Sequence, residues 1–543
     1  MNFKNVITMD DLKIGMGFSG GGYRAATFDL GTLSFLDQIK LDDGRSLLDC
    51  VVVLTSVSGG TITALKYMLA RARGQAVGDM VKELFDFLCN EDLVERAMQK
   101  LSDQRANREV SSIKIMADIY DTCLFDNATF GDLVDNFDKI PVKDYTALAT
   151  DFNYSLPFRF RIIDVQSPEE SLKDKVYGNR KDNITLDVIR CITLGEALAC
   201  SSCFPSGFEP MMFPDDFKLS QRQDIVKTIN KRIAIMDGGV VDNQGIDPIK
   251  KAEERLFKYR SDKSRTDKAM ELVILSDVAD PDMEAYTPSE QMLPDSVGKL
   301  TIGRLRNYGL ITMGLFAALF VLALALGSGF WTGVMSVLLA ISVAGNIIGA
   351  WSKRKMYGAI AKTFIGNRAM FISHLKFATL EAMLMNRAKS VVMMTSEVFL
   401  NQLRKLGYNS LYTDKGWENR LITNAIYELK NVTNWQTKVE EGVLPSYMVP
   451  SDAILENIAK AASMGTTLWF TSADKENHMP EALMVAGQCN MCYNLLDYIS
   501  DIEKKPVNLN DNHKLIIGCK EQLMQAWEKF KKDPQWLVNS LLK

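Results

Sequence analysis

Cys50-Val-Val-Val-Leu-Thr-Ser-Val-Ser-Gly-Gly60 is the stretch on which the fold turns. Its first six residues are a β-branched run of buried-strand type. The turn Ser56-Val57-Ser58-Gly59-Gly60 follows, and residues 61–73 then repeat apolar side chains at helical spacing. The same unit stands upstream: residues 12–18 run into Ser19-Gly20-Gly21-Gly22, and residues 23–39 are again spaced as a helix. Two strand, turn, helix units in succession predict an α/β fold with a mostly parallel sheet, because parallel neighbours need a crossover between them. Further strands are expected at 145–150, 158–165, 232–236 and 270–276, the last two with the pattern of central strands. Residues 75–125 read as helical, either a cap over a site or a peripheral layer. Residues 215–232 are polar enough for an exposed loop.

Composition narrows the function. The 543 residues carry 63 basic and 67 acidic side chains, a net charge of −4, so no global field attracts a nucleic acid. Nine cysteines are too few for a disulfide framework, and residues 1–11 lack the apolar core of a secretory signal, which points to a reducing cytoplasmic setting. Cys489 and Cys492 form a CxxC with no second pair to complete a zinc site; two buried helical thiols are expected, and no metal or organic cofactor.

The turn at Ser58 has the context of a nucleophile elbow, in which a sharp strand-to-helix turn lifts a serine hydroxyl above the sheet. Its five residues read Ser-Val-Ser-Gly-Gly, with Ser56 where the pattern has glycine and Gly60 closing it. A serine needs a base, yet the three histidines all lie beyond residue 373. Asp237 fills that role on paper: it ends the apolar run 233–236 and opens Asp237-Gly238-Gly239, with a plain turn as the alternative reading. Ester attack also needs preformed donors for the oxyanion, which the amides of Gly20, Gly21 and Gly22 offer, with Arg24 as a cation beside the loop. A phosphate-binding loop is the competitor, but no Gly-Lys-Ser/Thr follows and no spaced Gly-x-Gly-x-x-Gly is present.

The strongest compositional shift is the interval 307–352, which contains no Asp, Glu, Lys, Arg or His. A bilayer core of ~30 Å needs about 20 helical residues. Residues 309–328 and 330–350 each supply that length, with Gly327-Ser328-Gly329 as the reversal, so a two-helix transmembrane hairpin is expected. Lys299, Arg304 and Arg306 precede it and Lys353, Arg354 and Lys355 follow, which puts both flanks on the cytoplasmic side. Residues 353–389 hold eight basic side chains (these three with Lys362, Arg368, Lys376, Arg387 and Lys389) against Glu381, a bias suited to anionic lipid headgroups. The remainder reads as mainly helical, with a strand-like 390–394.

Taken together, the motifs resemble the patatin-like phospholipase family over roughly residues 12–282. Phe18-Ser-Gly-Gly-Gly-Tyr-Arg24 is similar to its oxyanion segment, Ser56-Val-Ser-Gly-Gly60 to its elbow, and Asp237-Gly-Gly239 to its catalytic aspartate motif. Ala199-Cys-Ser-Ser-Cys-Phe-Pro205, with Phe208 and Pro210, resembles the proline-containing block between them. Ser56 and Ala25 depart from glycines common in the family. The resemblance implies a three-layer α/β/α sandwich and a Ser–Asp dyad hydrolysing lipid acyl esters. The expectation is a phospholipase A-type enzyme divided as 1–300 catalytic, 301–355 hairpin and 356–543 C-terminal region, with membrane phospholipid as substrate and homo-oligomerisation open. The alternative is a membrane effector that perturbs the bilayer through its hairpin, as in bacterial antiviral defence.

Overall fold

The computed structural model describes residues 12–103, 111–163, 177–181, 183–205, 207–227, 229, 231–258, 269–279, 286–290, 292, 294–360, 374–432, 434–504 and 511–543. Val165, Lys362 and Arg368, named above, lie outside these residues. The chain divides into two compact units, one made of residues 1–283 together with 396–543, the other of residues 284–395.

The first unit is built on a ten-stranded sheet. Its strands are β1 (Ile14–Phe18), β2 (Val51–Val57), β3 (Asp144–Asp151), β4 (Leu156–Ile163), β5 (Tyr177–Gly178), β6 (Asn183–Ile184), β7 (Met211–Phe213), β8 (Ile233–Asp237), β9 (Leu272–Asp277) and β10 (Leu421–Ala425). The order β10-β9-β1-β2-β3 is parallel throughout, while β4 and β8 both run antiparallel to β3. Alternation sorts the β9 side chains: Leu272 and Ile274 enter a core under the helices 22–38 and 479–504, and Val273 and Leu275 enter a second core under the helices 246–258 and 399–412. Helices thus cover both faces of the sheet, the three-layer arrangement expected.

The strands expected at 12–18, 50–55, 145–150, 158–165, 232–236 and 270–276 are found as β1, β2, β3, β4, β8 and β9 with limits a residue or two different, residues 164–165 lying outside the described residues, and the helices at Gly22–Gln38 and Gly59–Ala72 follow their turns. The interval 75–125 is helical at Val77–Asn90, Leu93–Asp103 and Ser112–Cys123, with Met80, Leu84, Ile113 and Ile119 buried in the larger core, so it is a packed layer. The polar 215–232 forms short helical turns at Lys218–Gln221 and Gln223–Val226.

Two expectations are corrected. Residues 390–394 are not a strand; they end the helix Phe377–Met393, since a short β-branched run is ambiguous by periodicity alone. The linear division at 300 and 355 also fails, because the C-terminal segment completes the sheet of the first unit. β10 pairs in register with β9, and the helix Met479–Lys504 lies directly on the helix Gly22–Gln38. That crossing is close: a Cβ on Gly31 would overlap the Met484 carbonyl, and one on Gly487 would overlap that of Phe28. Cys489 and Cys492 are buried in the same helix, where burial pushes both thiols well above their ordinary pKa.

The second unit contains two helices long and apolar enough to cross a bilayer, Gly303–Ala325 and Gly329–Ile348, with almost none of their side chains buried. They belong to the helices Ile302–Ala325 and Gly329–Ile360, which pack on each other as a hairpin. Asn346 pins the pair, its Nδ2 donating to the carbonyls of Gly309 at 3.0 Å and Ser342 at 2.9 Å.

Candidate active site

The sheet register explains why two residues far apart in sequence meet. One edge of β3 is taken along its whole length by β4, from Asp144↔Ile163 to Asp151↔Leu156. On the other edge β2 pairs as far as Val57↔Leu148, and β8 continues from Ala149↔Asp237 to Asp151↔Ile235. Since β2 is parallel and β8 antiparallel to β3, their carboxyl ends face each other in one column. Ser58 follows directly on Val57, and Asp237 is the last residue of β8. The two therefore converge at the gap between strand ends, close enough that the Ser58 hydroxyl helps to hold the Asp237 pKa down.

Ser58 sits between β2 and the helix Gly59–Ala72 with φ 49° and ψ −121°, a left-handed backbone that a non-glycine residue adopts only when its surroundings enforce it. Here the enforcement is a hydroxyl chain. The Ser58 N–H donates to Ser201 Oγ at 2.9 Å, Ser201 Oγ donates to Leu148 O at 2.7 Å, and Thr61 Oγ1 lies 2.9 Å from Ser201 Oγ. Thr61 Oγ1 also reaches Ser56 Oγ at 3.1 Å, and Ser56 Oγ pairs with the Tyr145 hydroxyl at 3.0 Å. The serine that replaces the elbow glycine is thus absorbed into a buried polar network with a partner for its hydroxyl.

Asp237 is 6% exposed, and Oδ1 accepts the Gly239 N–H at 2.6 Å. Burial pushes its carboxyl up to about 7, an effect that the Gly239 N–H and the nearby Ser58 hydroxyl reduce without cancelling. Gly238 is required sterically, because a Cβ there would overlap the Leu148 carbonyl; one on Gly239 would stand 2.9 Å from Asp237 Oδ1. Gly60 packs equally closely, its notional Cβ 2.7 Å from Phe18 Cβ.

The glycine loop differs in detail from the expectation. The Gly20 N–H is already spent on Asn243 O at 3.0 Å, so it is not a free donor. Among the described residues the N–H groups of Gly21 and Gly22 have no partner, as is usual for the first amides of a helix. Gly22 has φ +60° and its O and N lie against Gly59, which brings the loop within contact distance of the elbow. Arg24 is directed elsewhere: it is 4% exposed, and its Nη2 donates to the Tyr427 hydroxyl at 2.6 Å. It braces the C-terminal segment against the helix Gly22–Gln38 and does not line the site.

Two residues that the sequence reading passed over belong here. A Cβ on Gly20 would lie 3.2 Å from Ser58 Cβ and would overlap Asn243 Oδ1, so the Asn243 carboxamide stands beside the serine while its carbonyl holds the loop. Its position six residues after Asp237 was the available signal. Thr467 O accepts the Tyr23 N–H at 2.7 Å, and Phe470 meets the Tyr23 ring edge-on at 5.5 Å. Nothing near Thr467 in sequence announces this contact.

The sequence model of the family described as patatin-like phospholipase matches residues 17–250, an interval that holds the loop, the elbow and the aspartate. No curated protein matches the chain. Among solved structures, human GIVD cytosolic phospholipase A2 in complex with methyl gamma-linolenyl fluorophosphonate inhibitor and terbium chloride is 17% identical, covering 28% of this chain and 23% of that one with a TM-score of 0.22. Human GIVD cytosolic phospholipase A2 is 14% identical, covering 36% and 28% with a TM-score of 0.24. The match spans about a quarter of each human chain. Residues 17–250 thus match the patatin-like phospholipase family model, and the loop, the elbow and the aspartate all lie within that match.

Proposed function

We propose that the protein is a membrane-anchored phospholipase A-type hydrolase with Ser58 as nucleophile and Asp237 as its base. The observation that carries this reading is the convergence, set by the sheet register, of a hydroxyl held on a strained turn with a buried carboxylate at a strand end. Ser58 Oγ attacks the ester carbonyl carbon as its proton passes to Asp237. The negative charge that develops on the carbonyl oxygen is met by the amides of Gly21 and Gly22; each such donor contributes ~3 kcal/mol in well-formed oxyanion sites. Collapse breaks the bond to the glycerol oxygen, and Asp237 returns the proton to that leaving alcohol. Water then attacks the acyl-serine, giving its proton to Asp237, and the fatty acid departs as Ser58 Oγ is reprotonated.

The hairpin anchors the enzyme, with the basic residues at its ends on the cytoplasmic side near anionic headgroups. Tethering then presents phospholipid to the serine without a soluble carrier.

Two measurements test this. A fluorophosphonate probe, which phosphonylates activated serines, is expected to attach to Ser58 in the purified full chain, as read by peptide mass spectrometry. Attachment elsewhere, or equal attachment in Asp237→Asn, contradicts the dyad. The second is the pH profile. A carboxyl with a pKa raised to about 7 is protonated below that value and cannot accept the serine proton. Hydrolysis of a soluble short-chain ester is therefore expected to fall about tenfold per unit as pH drops below 7 and to level off above it. A flat profile from about pH 5 to about pH 9 removes Asp237 as the base.

A further inference from the structure

We infer that the turn between β3 and β4, with the basic residues around it, is the surface by which the catalytic unit engages an anionic phospholipid bilayer; this rests on the hydrolase reading above and adds its orientation at the membrane. The turn begins at Phe152, three residues beyond Ala149, which pairs with Asp237. At ~3.3 Å per residue it projects about 10 Å past the dyad, from the same carboxyl end of the sheet.

Its tip does not resemble an ordinary soluble turn. Phe152 is 59% exposed and Tyr154 43% exposed, although both are large apolar rings. The turn is held firmly: the Phe152 N–H donates to Ala234 O at 2.8 Å, the Asn153 N–H to Asp151 Oδ1 at 2.8 Å, and the Asn153 carboxamide to Arg232 O at 3.2 Å. The exposed rings are therefore presented on a fixed frame. Lys181 and Lys231 place their ammonium groups 5.6 and 5.5 Å from the Tyr154 ring centroid, and Arg180 and Arg232 are exposed beside them. Among the described residues, Asp215 pairs with Arg232 at 2.8 Å. Phe204, 38% exposed, adds a third ring, one residue after the carbonyl of Cys203 that accepts the Asp237 N–H.

Aromatic rings with a polar edge settle at the level of lipid headgroups, and lysines beside them are drawn to anionic lipids. Rings on a fixed turn, with cations from neighbouring segments beside them, match that interface in both respects. A partner protein of neutral or basic surface matches only the rings. With the turn seated among headgroups, the dyad stands about 10 Å behind the contact surface, within reach of a phospholipid drawn partly out of the bilayer.

The test uses the full chain reconstituted in phosphatidylcholine vesicles with or without phosphatidylglycerol. Two variants are compared with wild type, Phe152→Ser with Tyr154→Ser, and Lys181→Glu with Lys231→Glu. Both are expected to lower fatty acid release from the phosphatidylglycerol vesicles by about tenfold, while turnover of a soluble short-chain ester stays within about twofold of wild type. Vesicle hydrolysis equal to wild type overturns the inference, as does an equal fall in both activities, which would place these residues in the site itself. An altered oligomeric state with vesicle hydrolysis intact assigns the surface to a second copy and also overturns it.

Independently of turnover, hydrogen exchange at residues 152–155 of Ser58→Ala is expected to slow when phosphatidylglycerol is included. Unchanged exchange contradicts docking. Loss of Ser58-dependent turnover of the soluble ester in wild type would instead count against the hydrolase reading, and the exchange result would still judge the surface.

Discussion

Ser58→Ala is expected to reduce ester hydrolysis by about 10⁴- to 10⁶-fold while leaving the thermal unfolding of the first unit nearly unchanged. Alanine keeps the strained backbone no worse than serine does, and the N–H of residue 58 still reaches Ser201 Oγ, so the elbow persists. What disappears is the proposed nucleophile, together with the hydroxyl that helps hold the Asp237 carboxyl down; that carboxyl shifts further upward. Asp237→Asn keeps the shape and the approach of the Gly239 N–H but removes the proton acceptor, with an expected loss of about 10²- to 10⁴-fold. Because the two groups act as one unit, the double variant should be no slower than Ser58→Ala alone. Independent, multiplying effects would mean that serine and aspartate serve different steps, and undiminished hydrolysis in both single variants would remove the mechanism. Fatty acid release from phospholipid vesicles and turnover of a soluble ester measure this directly.

Gly59→Ala is the second large effect, and it acts through the backbone. The added Cβ would overlap the Gly22 carbonyl and stand 2.6 Å from the Gly22 nitrogen, so the loop and the elbow cannot keep their separation. Overpacking against side chains costs about 1–3 kcal/mol, and backbone has less room to yield, so a loss of about 3 kcal/mol with most of the activity is expected. Gly465→Ala is the matched control, since its Cβ meets nothing within 4 Å. Thermal unfolding of the two variants side by side decides the matter: equal melting temperatures would show that the loop does not press on the elbow as described.

The parts legible in sequence were those whose signal is local. The strands β1, β2, β3, β8 and β9 announce themselves by apolar runs ending in glycine or serine turns, and the elbow by its place between strand and helix. The hairpin announced itself by the missing charges, with helix limits a few residues from those expected. What stayed hidden depends on pairing at a distance. β10 is five residues of mixed pattern, Leu-Ile-Thr-Asn-Ala, with Ile422 buried at 5% and Asn424 fully buried, and only its register with β9 makes it a strand. Asn424 tolerates burial because its Nδ2 finds Thr32 Oγ1 at 2.9 Å, a residue 392 positions earlier. The role of Gly20 was misread for the same reason: a glycine shows that backbone comes close, and says nothing about whether its N–H is already occupied by Asn243.

The order of residues by itself determined that a serine elbow, a glycine loop and an aspartate turn exist, and that two charge-free helices stand apart from them, because turn chemistry and hydrophobic periodicity are short-range properties. Tertiary structure alone decided that β8 meets β2 end to end along β3, which brings Ser58 to Asp237, that Gly21 and Gly22 rather than Gly20 keep free amides, and that residues 396–543 close the sheet begun by residue 14. Those outcomes come from competition among many possible strand neighbours and hydrogen-bond partners, settled by how the whole core packs and not by any one segment.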